Sequence, residues 1–394
     1  MSDNDSFTEI TRTSWLSRIG GSILGFLFGI VLVIGSGALL FWNEGRAVQT
    51  AKSLAEGSGL VIDLGADAID PANQGKLIHV SGDIKTASRI ADPQFGVSVD
   101  GVRLVRTVEM YQWKEDKHSE THKNLGGSEE TTTTYTYSRA WAPDRVDSNK
   151  FRRPDGHDNP DMRYRRATFT SKDASLGAFR PGPAVLSELP ASEDVALDSS
   201  SAKALVSHVG GPIQVSGSNY YLGSDPGTPR IGDLRVSFQV APQGPASIVG
   251  QQQGKDFAEY QTQAGDRLLM VKPGTVSAAA MFKSAADDNR ILTWILRAVG
   301  AVAMWIGFAL LFGPITTIAD VIPIIGDILG AGTTLAALVI TFVVAPVIIA
   351  IAWLWYRPLV SIIALVIGGA LAFVFRALAR SRANVRGARV APAK

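Results

Sequence analysis

Apolar residues are crowded toward the two ends of this chain, while its middle alternates. From Ile19 to Trp42 run 24 residues without a charge. At about 1.5 Å per residue such a helix is long enough to cross a hydrocarbon core of about 30 Å, so the run predicts a first membrane helix. A cleaved signal peptide is the rival reading, because Arg12 and Arg18 precede the run and Gly35, Ser36, Gly37 and Ala38 are small. A signal h-region is typically only about 7–15 residues long, which favours the helix. Toward the other end, Ala298–Ile318 is uncharged for 21 residues and predicts a second crossing. The third, Ile328–Tyr356, ends in Trp353, Trp355 and Tyr356, the aromatic girdle of an interface, and holds Pro346, which predicts a kink. Leu359–Phe375 is a fourth crossing at the lower limit of length.

Between the first and second spans the period changes to two. In Arg103–Trp113, Leu104, Val108 and Met110 share one face and Val105, Tyr111 and Trp113 the other, which predicts a strand covered on both sides. Thr131–Trp141, rich in Thr, Tyr and Trp, is its hairpin partner, with Gly126 and Gly127 in the turn. Asp233–Val240, the resumed run at Ile248 and Val249, and Arg267–Val271 are further strands. The likeness of Val102–Met110 to Leu234–Val240 raises a duplicated β unit, on a single weak match. Helical signals are confined to Arg46–Glu56, continuing the first membrane helix, and Ala278–Asp287, leading into the second. The expected fold class is therefore an α+β membrane protein: four transmembrane helices, one N-terminal and three C-terminal, with a large β-rich extramembrane domain inserted between the first and second.

Charge sets the expected orientation. The tail after Phe375 carries Arg376, Arg380, Arg382, Arg386, Arg389 and Lys394 with no acidic residue, which the positive-inside rule places in the cytoplasm. Four crossings then put residues 1–18 there as a cytoplasmic N-terminus, with residues 43–290 on the opposite side, the periplasm in a bacterium or the lumen in a eukaryote. Asp320 and Asp327, in a connection without basic residues, run against the rule. A net charge of +2, from 38 basic and 36 acidic residues, makes no case for nucleic acid. The absence of cysteine excludes disulfides, thiolate metal sites and a cysteine nucleophile.

Few residues suggest chemistry. Gly21, Gly25 and Gly29, extended by Gly37, form a small-residue face that would pack helices, within the chain or between copies. Arg376, Arg380, Arg382, Arg386 and Arg389 would meet anionic lipid. Asp320 and Asp327 flank VIPIIG and are read as an interfacial turn with both carboxylates in headgroup water, the alternative being an ion path. His118, Glu120 and His122 offer two imidazoles on one side of a strand but no third ligand, so no metal site is expected. Gly250–Lys255, GQQQGK, lacks phosphate-loop spacing and is read as a turn. Ser200–Lys203 fits SxxK without its companion motifs, and His79, His157 and His208 are isolated. Neither catalytic residues nor cofactors are predicted.

Several strings carry a likeness: FWNEGRAVQTAKSLAEG from Phe41, DPQFGVSVDGVRLVRTVEMYQW from Asp92, IGDLRVSFQV from Ile231, AGDRLLMVKPG from Ala264 and WLWYRP from Trp353. In this order they resemble the transmembrane protein 43 family, also called LUMA, over almost the whole chain, with EGRA and EMYQW the most specific in combination. The resemblance implies a four-pass membrane protein with a large lumenal loop and no enzymatic activity, one that self-associates or assembles with other membrane proteins. Eukaryotic members are associated with the endoplasmic reticulum and inner nuclear membrane, with lamins and with emerin; the Ala-, Gly- and Arg-rich ends point here to a bacterial member. The expected role is a homo-oligomeric scaffold organising membrane complexes, and the alternative is a sensor or accessory subunit whose outer domain binds a ligand. The expected partners are the lipid bilayer, further copies of the chain and other membrane proteins.

Overall fold

The computed structural model describes residues 5–199 and 209–359, together with 202, 205, 206, 362, 363 and 366. The chain divides into a β-rich unit, Met1–Thr13, Lys52–Asn124 and Ser128–Ala286, and a helical unit, Ser14–Ala51, Leu125–Gly127 and Asp287 onward.

The β-rich unit contains the strands labelled β1 (Asp5–Thr13), β2 (Leu77–Thr86), β3 (Arg103–Lys123), β4 (Glu129–Ala142), β5 (Leu234–Ala241), β6 (Gly244–Gln253) and β7 (Met270–Pro273), with shorter strands between them. Its larger sheet runs β1, β4, β3, β5, Asn219–Leu222, Ile213–Ser216, and its second sheet is built on antiparallel β2 and β6, with β7 on the outer side of β6. The alternating strands form as expected. Tyr111 faces Trp141 across the hairpin, and Leu234, Val236, Phe238 and Val240 are all buried against Leu104, Val108 and Met110. A second core gathers Ile78, Val80, Ile84 and Ile248 with Leu176 and Phe179. Each side chain of this kind contributes about 1.5–3 kcal/mol when fully buried, so these two cores provide the main drive for the unit to fold.

Several expectations are corrected here. The similar segments Val102–Met110 and Leu234–Val240 lie on neighbouring antiparallel strands, Leu234 opposite Met110, and share one core. Of GQQQGK, Gly250–Gln253 is strand, and the turn begins only at Gly254, whose φ is +62°. The N-terminal segment is not separate from the domain: β1 is the edge strand of the larger sheet, with Asp5 opposite Tyr137 and Thr13 opposite Glu129. The segment DSFTEITRT is rich in β-branched residues, a strand signal overshadowed by the apolar run that follows.

Among the described residues the apolar runs form three helices long and apolar enough to cross a membrane: α1 (Trp15–Leu60), α2 (Ala278–Leu311) and, after the short α3 (Gly313–Ala319), α4 (Pro323–Tyr356). The second span ends sooner than expected because Gly313 and Pro314 start a new helical turn, and α4 remains one helix through Pro346. The fourth crossing, Leu359–Phe375, and the basic tail with Arg376, Arg380, Arg382, Arg386 and Arg389 lie largely or wholly outside the described residues, as do most of Ser200–Lys203 and His208.

Candidate functional site

In the helical unit, the four residues of EGRA each have a separate task. Glu44, only 1% exposed, accepts a bidentate pair from Arg297 on α2, Nε at 2.6 Å and Nη2 at 2.8 Å. The indole of Trp353 on α4 donates to the same carboxylate at 2.8 Å, so one side chain ties all three long helices. Arg297 also lies over the ring of Trp294, 4.7 Å from its centroid. Gly45 leaves room for Tyr356, whose ring a Cβ there would meet at 2.6 Å. Arg46 donates to Asn289 and Thr293 at 2.9 and 3.0 Å, while Asn43 donates to the Thr293 carbonyl and Asn289 to that of Ala47. A charged pair removed from water holds only with such geometry and extra hydrogen bonds, and here the Trp353 indole and the bidentate fork supply them.

A second lock involves Arg18, which donates to the Asp320 carboxylate and, at 2.6 Å, to the Gly127 carbonyl. The Trp15 indole donates to the Thr317 carbonyl at 3.0 Å and the Gly126 amide to that of Val321 at 3.1 Å. Gly127, at φ +78°, has no space for a Cβ beside Trp15. Asp320 is 3% exposed, so the expectation of a carboxylate in headgroup water fails for it: Arg18 compensates its charge, and Gly326 leaves no room for a side chain beside it.

The predicted glycine face packs largely within the chain. A Cβ on Gly29 would sit 2.8 Å from the Gly307 carbonyl, so α1 and α2 approach backbone to backbone there. Gly25 faces Leu310 and Gly37 faces Ile348, while Gly21 has nothing within 4 Å. Between α2 and α4 lies a groove of about 380 Å³ lined by Trp294, Trp305, Phe342, Pro346 and Ile349 among others, almost entirely apolar.

In the β-rich unit the buried charges are also committed. Asp92 pairs with Arg106 at 2.6 Å, under the Phe95 ring. Burial and the Asp233 carboxylate push the Tyr221 phenol well above its usual range, and burial with Glu115 raises Tyr137. His157 stacks on Tyr137, and His79 contacts Asp63 at 2.6 Å. His118 and Glu120 sit exposed on β3, and among the described residues no three His, Asp or Glu side chains converge as a metal site.

The Glu44–Arg297 pair was missed by sequence reasoning. The usable signal was that Glu44 stands two residues after the first apolar run and Arg297 just before the second, which brings opposite charges to one depth.

The transmembrane protein 43 family model matches residues 110–358. Transmembrane protein 43 of Mus musculus is 33% identical over 387 residues, covering 95% of this chain and 94% of the mouse protein. The Homo sapiens protein is 32% identical over 384 residues, covering 94% and 93%, and the Drosophila melanogaster homolog is 28% identical over 388 residues, covering 94% and 96%. No solved structure matches. With its apolar helices and this end-to-end similarity, the chain is an integral membrane protein and belongs to the transmembrane protein 43 family.

Proposed function

We propose that this protein is a self-associating membrane scaffold, acting through assembly rather than through chemistry at a reactive centre. The observation that supports this reading is the use made of its buried charges. Glu44, Arg297, Arg18 and Asp320 are all spent on fixing helix to helix, and Asp92 and Arg106 on fixing a sheet core. Such locks stiffen each unit by itself, and a stiff unit is suited to repeated, defined contacts with its own copies and with other membrane proteins. We place it in a bacterial inner membrane, with the main body of the β-rich domain on the periplasmic side.

The test is the mass of the protein in lipid nanodiscs. A discrete multiple of the chain mass is expected, and a single-chain particle across a hundredfold range of protein concentration overturns the reading. Gly21→Leu separates the two uses of the glycine face: it leaves the chain folded, and a loss of assembly would put the contact between copies on that face.

A further inference from the structure

Within the β-rich unit, the side chain of His79 is 8% exposed and has an acceptor at each ring nitrogen. It stands on β2, between the short parallel strand Ile62–Leu64 and antiparallel β6. The register sets Asp63 beside it, with the carboxylate 2.6 Å from Nδ1. At Nε2 the Val276 carbonyl is 2.9 Å away and the Ser81 hydroxyl 3.3 Å. Ser81 lies opposite Ser247 in the ladder, their hydroxyls 2.7 Å apart, and Ser247 donates to the Gly274 carbonyl and accepts from the Val276 amide. These contacts therefore converge on residues 274–277, the link from β7 to α2.

Counting protons fixes the charge that this arrangement requires. A hydroxyl has one proton to donate. Ser247 gives its own to Gly274, so the proton shared by the two serines comes from Ser81. The Ser81 oxygen can then only accept at His79, and the Val276 carbonyl can only accept, so Nε2 carries a proton. The Asp63 carboxylate is an acceptor too, so Nδ1 carries one as well, and only the imidazolium has both. Without the second proton a contact breaks. Either the Nε2 lone pair faces the Val276 carbonyl and draws the Ser81 hydroxyl away from Ser247, or the Nδ1 lone pair faces Asp63. Among the described residues Asp63 is the charged group bonded to the ring. The elements covering this face also bring Lys52 and Glu56 from α1, Arg267, and Lys283 from α2. Glu56 accepts from the Gln263 and Ala264 amides, Arg267 pairs with Glu259, and Lys52 and Lys283 are exposed. Lys272 on β7, opposite Ser247, is a like charge two strands from the ring.

We propose that His79 is a proton-operated clamp on the root of α2. Protonated, it holds the Val276 carbonyl directly and the Val276 amide through Ser81 and Ser247; neutral, it releases both. Histidine changes charge between about pH 5 and 8, so the clamp is closed in acid and opens as pH rises through that range. Only Ser277 separates Val276 from Ala278, the first residue of α2, which continues unbroken to Leu311. Acidity around the β-rich unit is thereby converted into restraint on the backbone that enters a membrane helix, a local charge change biasing a two-state element. The clamp does not depend on the self-association reading.

Hydrogen exchange on the full chain in nanodiscs tests this, followed by mass spectrometry on peptides covering residues 274–281 from about pH 5 to about pH 8 and corrected for the intrinsic pH dependence of exchange. Protection of the Val276 amide should fall about tenfold across that range, the size of one hydrogen bond from a charged donor. Asp63→Asn offers Nδ1 an amide donor, so a neutral ring keeps its proton on Nε2; protection should stay high and lose its pH dependence. His79→Gln should abolish the pH dependence as well. His157, whose nitrogens face the Arg153 carbonyl at 3.0 Å and the Asp5 carboxylate at 3.4 Å, is untouched in both variants. A pH dependence that survives them therefore belongs to another group and overturns the proposal. Flat protection in the wild type overturns it too. If His79→Gln fails to fold, Asp63→Asn alone decides between these outcomes.

Discussion

The two units hold a buried ion pair by different means. Asp92 and Arg106 sit within a sheet core whose Phe95, Phe238 and Val236 would be driven together by water in any case. Glu44 and Arg297 join helices whose outward residues include Phe342, 71% exposed, and Val339, with lipid for a solvent. Lipid supplies no hydrophobic drive between helices, so close glycine contacts and polar locks must set their geometry. The same chemical pair is therefore an accessory in one unit and a principal fastener in the other.

The largest expected effect tests that fastener. Arg297→Met leaves the Glu44 charge buried without its fork and should cost about 3–5 kcal/mol, and adding Glu44→Gln should restore much of the loss. Thermal unfolding of the four proteins in nanodiscs reads the coupling; equal losses in the single and double variants would contradict it. Gly29→Leu should cost about 1–3 kcal/mol by forcing α1 from Gly307, whereas Gly21→Leu should cost far less in the same assay.

In the β-rich unit, Tyr221→Phe removes a hydrogen bond to the Asp233 carboxylate and should cost about 1.5–3 kcal/mol near neutral pH. The Tyr221 phenol is held protonated in the folded state, with its folded pKa above the ordinary value of 10.0. Its contribution is therefore complete below about pH 10 and is lost as pH rises beyond that and through the higher folded pKa. Denaturant titrations from pH 8 to 11 should show the wild type losing stability on which the Phe variant never drew. The smallest effect should come from Phe342→Ala, within about 0.5 kcal/mol, because the ring points outward. A loss above 2 kcal/mol there would mean that another protein surface covers this face.

Residue pattern alone determined the three described apolar helices, the β3–β4 hairpin with its Gly126–Gly127 turn, the strand Leu234–Val240 and the family, because periodicity and length are local properties that bilayer thickness and a two-faced sheet impose directly. What only the tertiary structure decided are partnerships. Arg297 and Glu44 are 253 residues apart, Arg18 and Asp320 are 302 apart, and β1 finds β4 across an entire membrane helix. A charge beside an apolar run reads the same whether it meets headgroup water or a carboxylate from a distant helix, and a short polar strand reads the same whether or not a sheet edge waits for it. Those choices depend on which surfaces the packed chain brings within a few ångströms, a quantity that no single stretch of sequence carries.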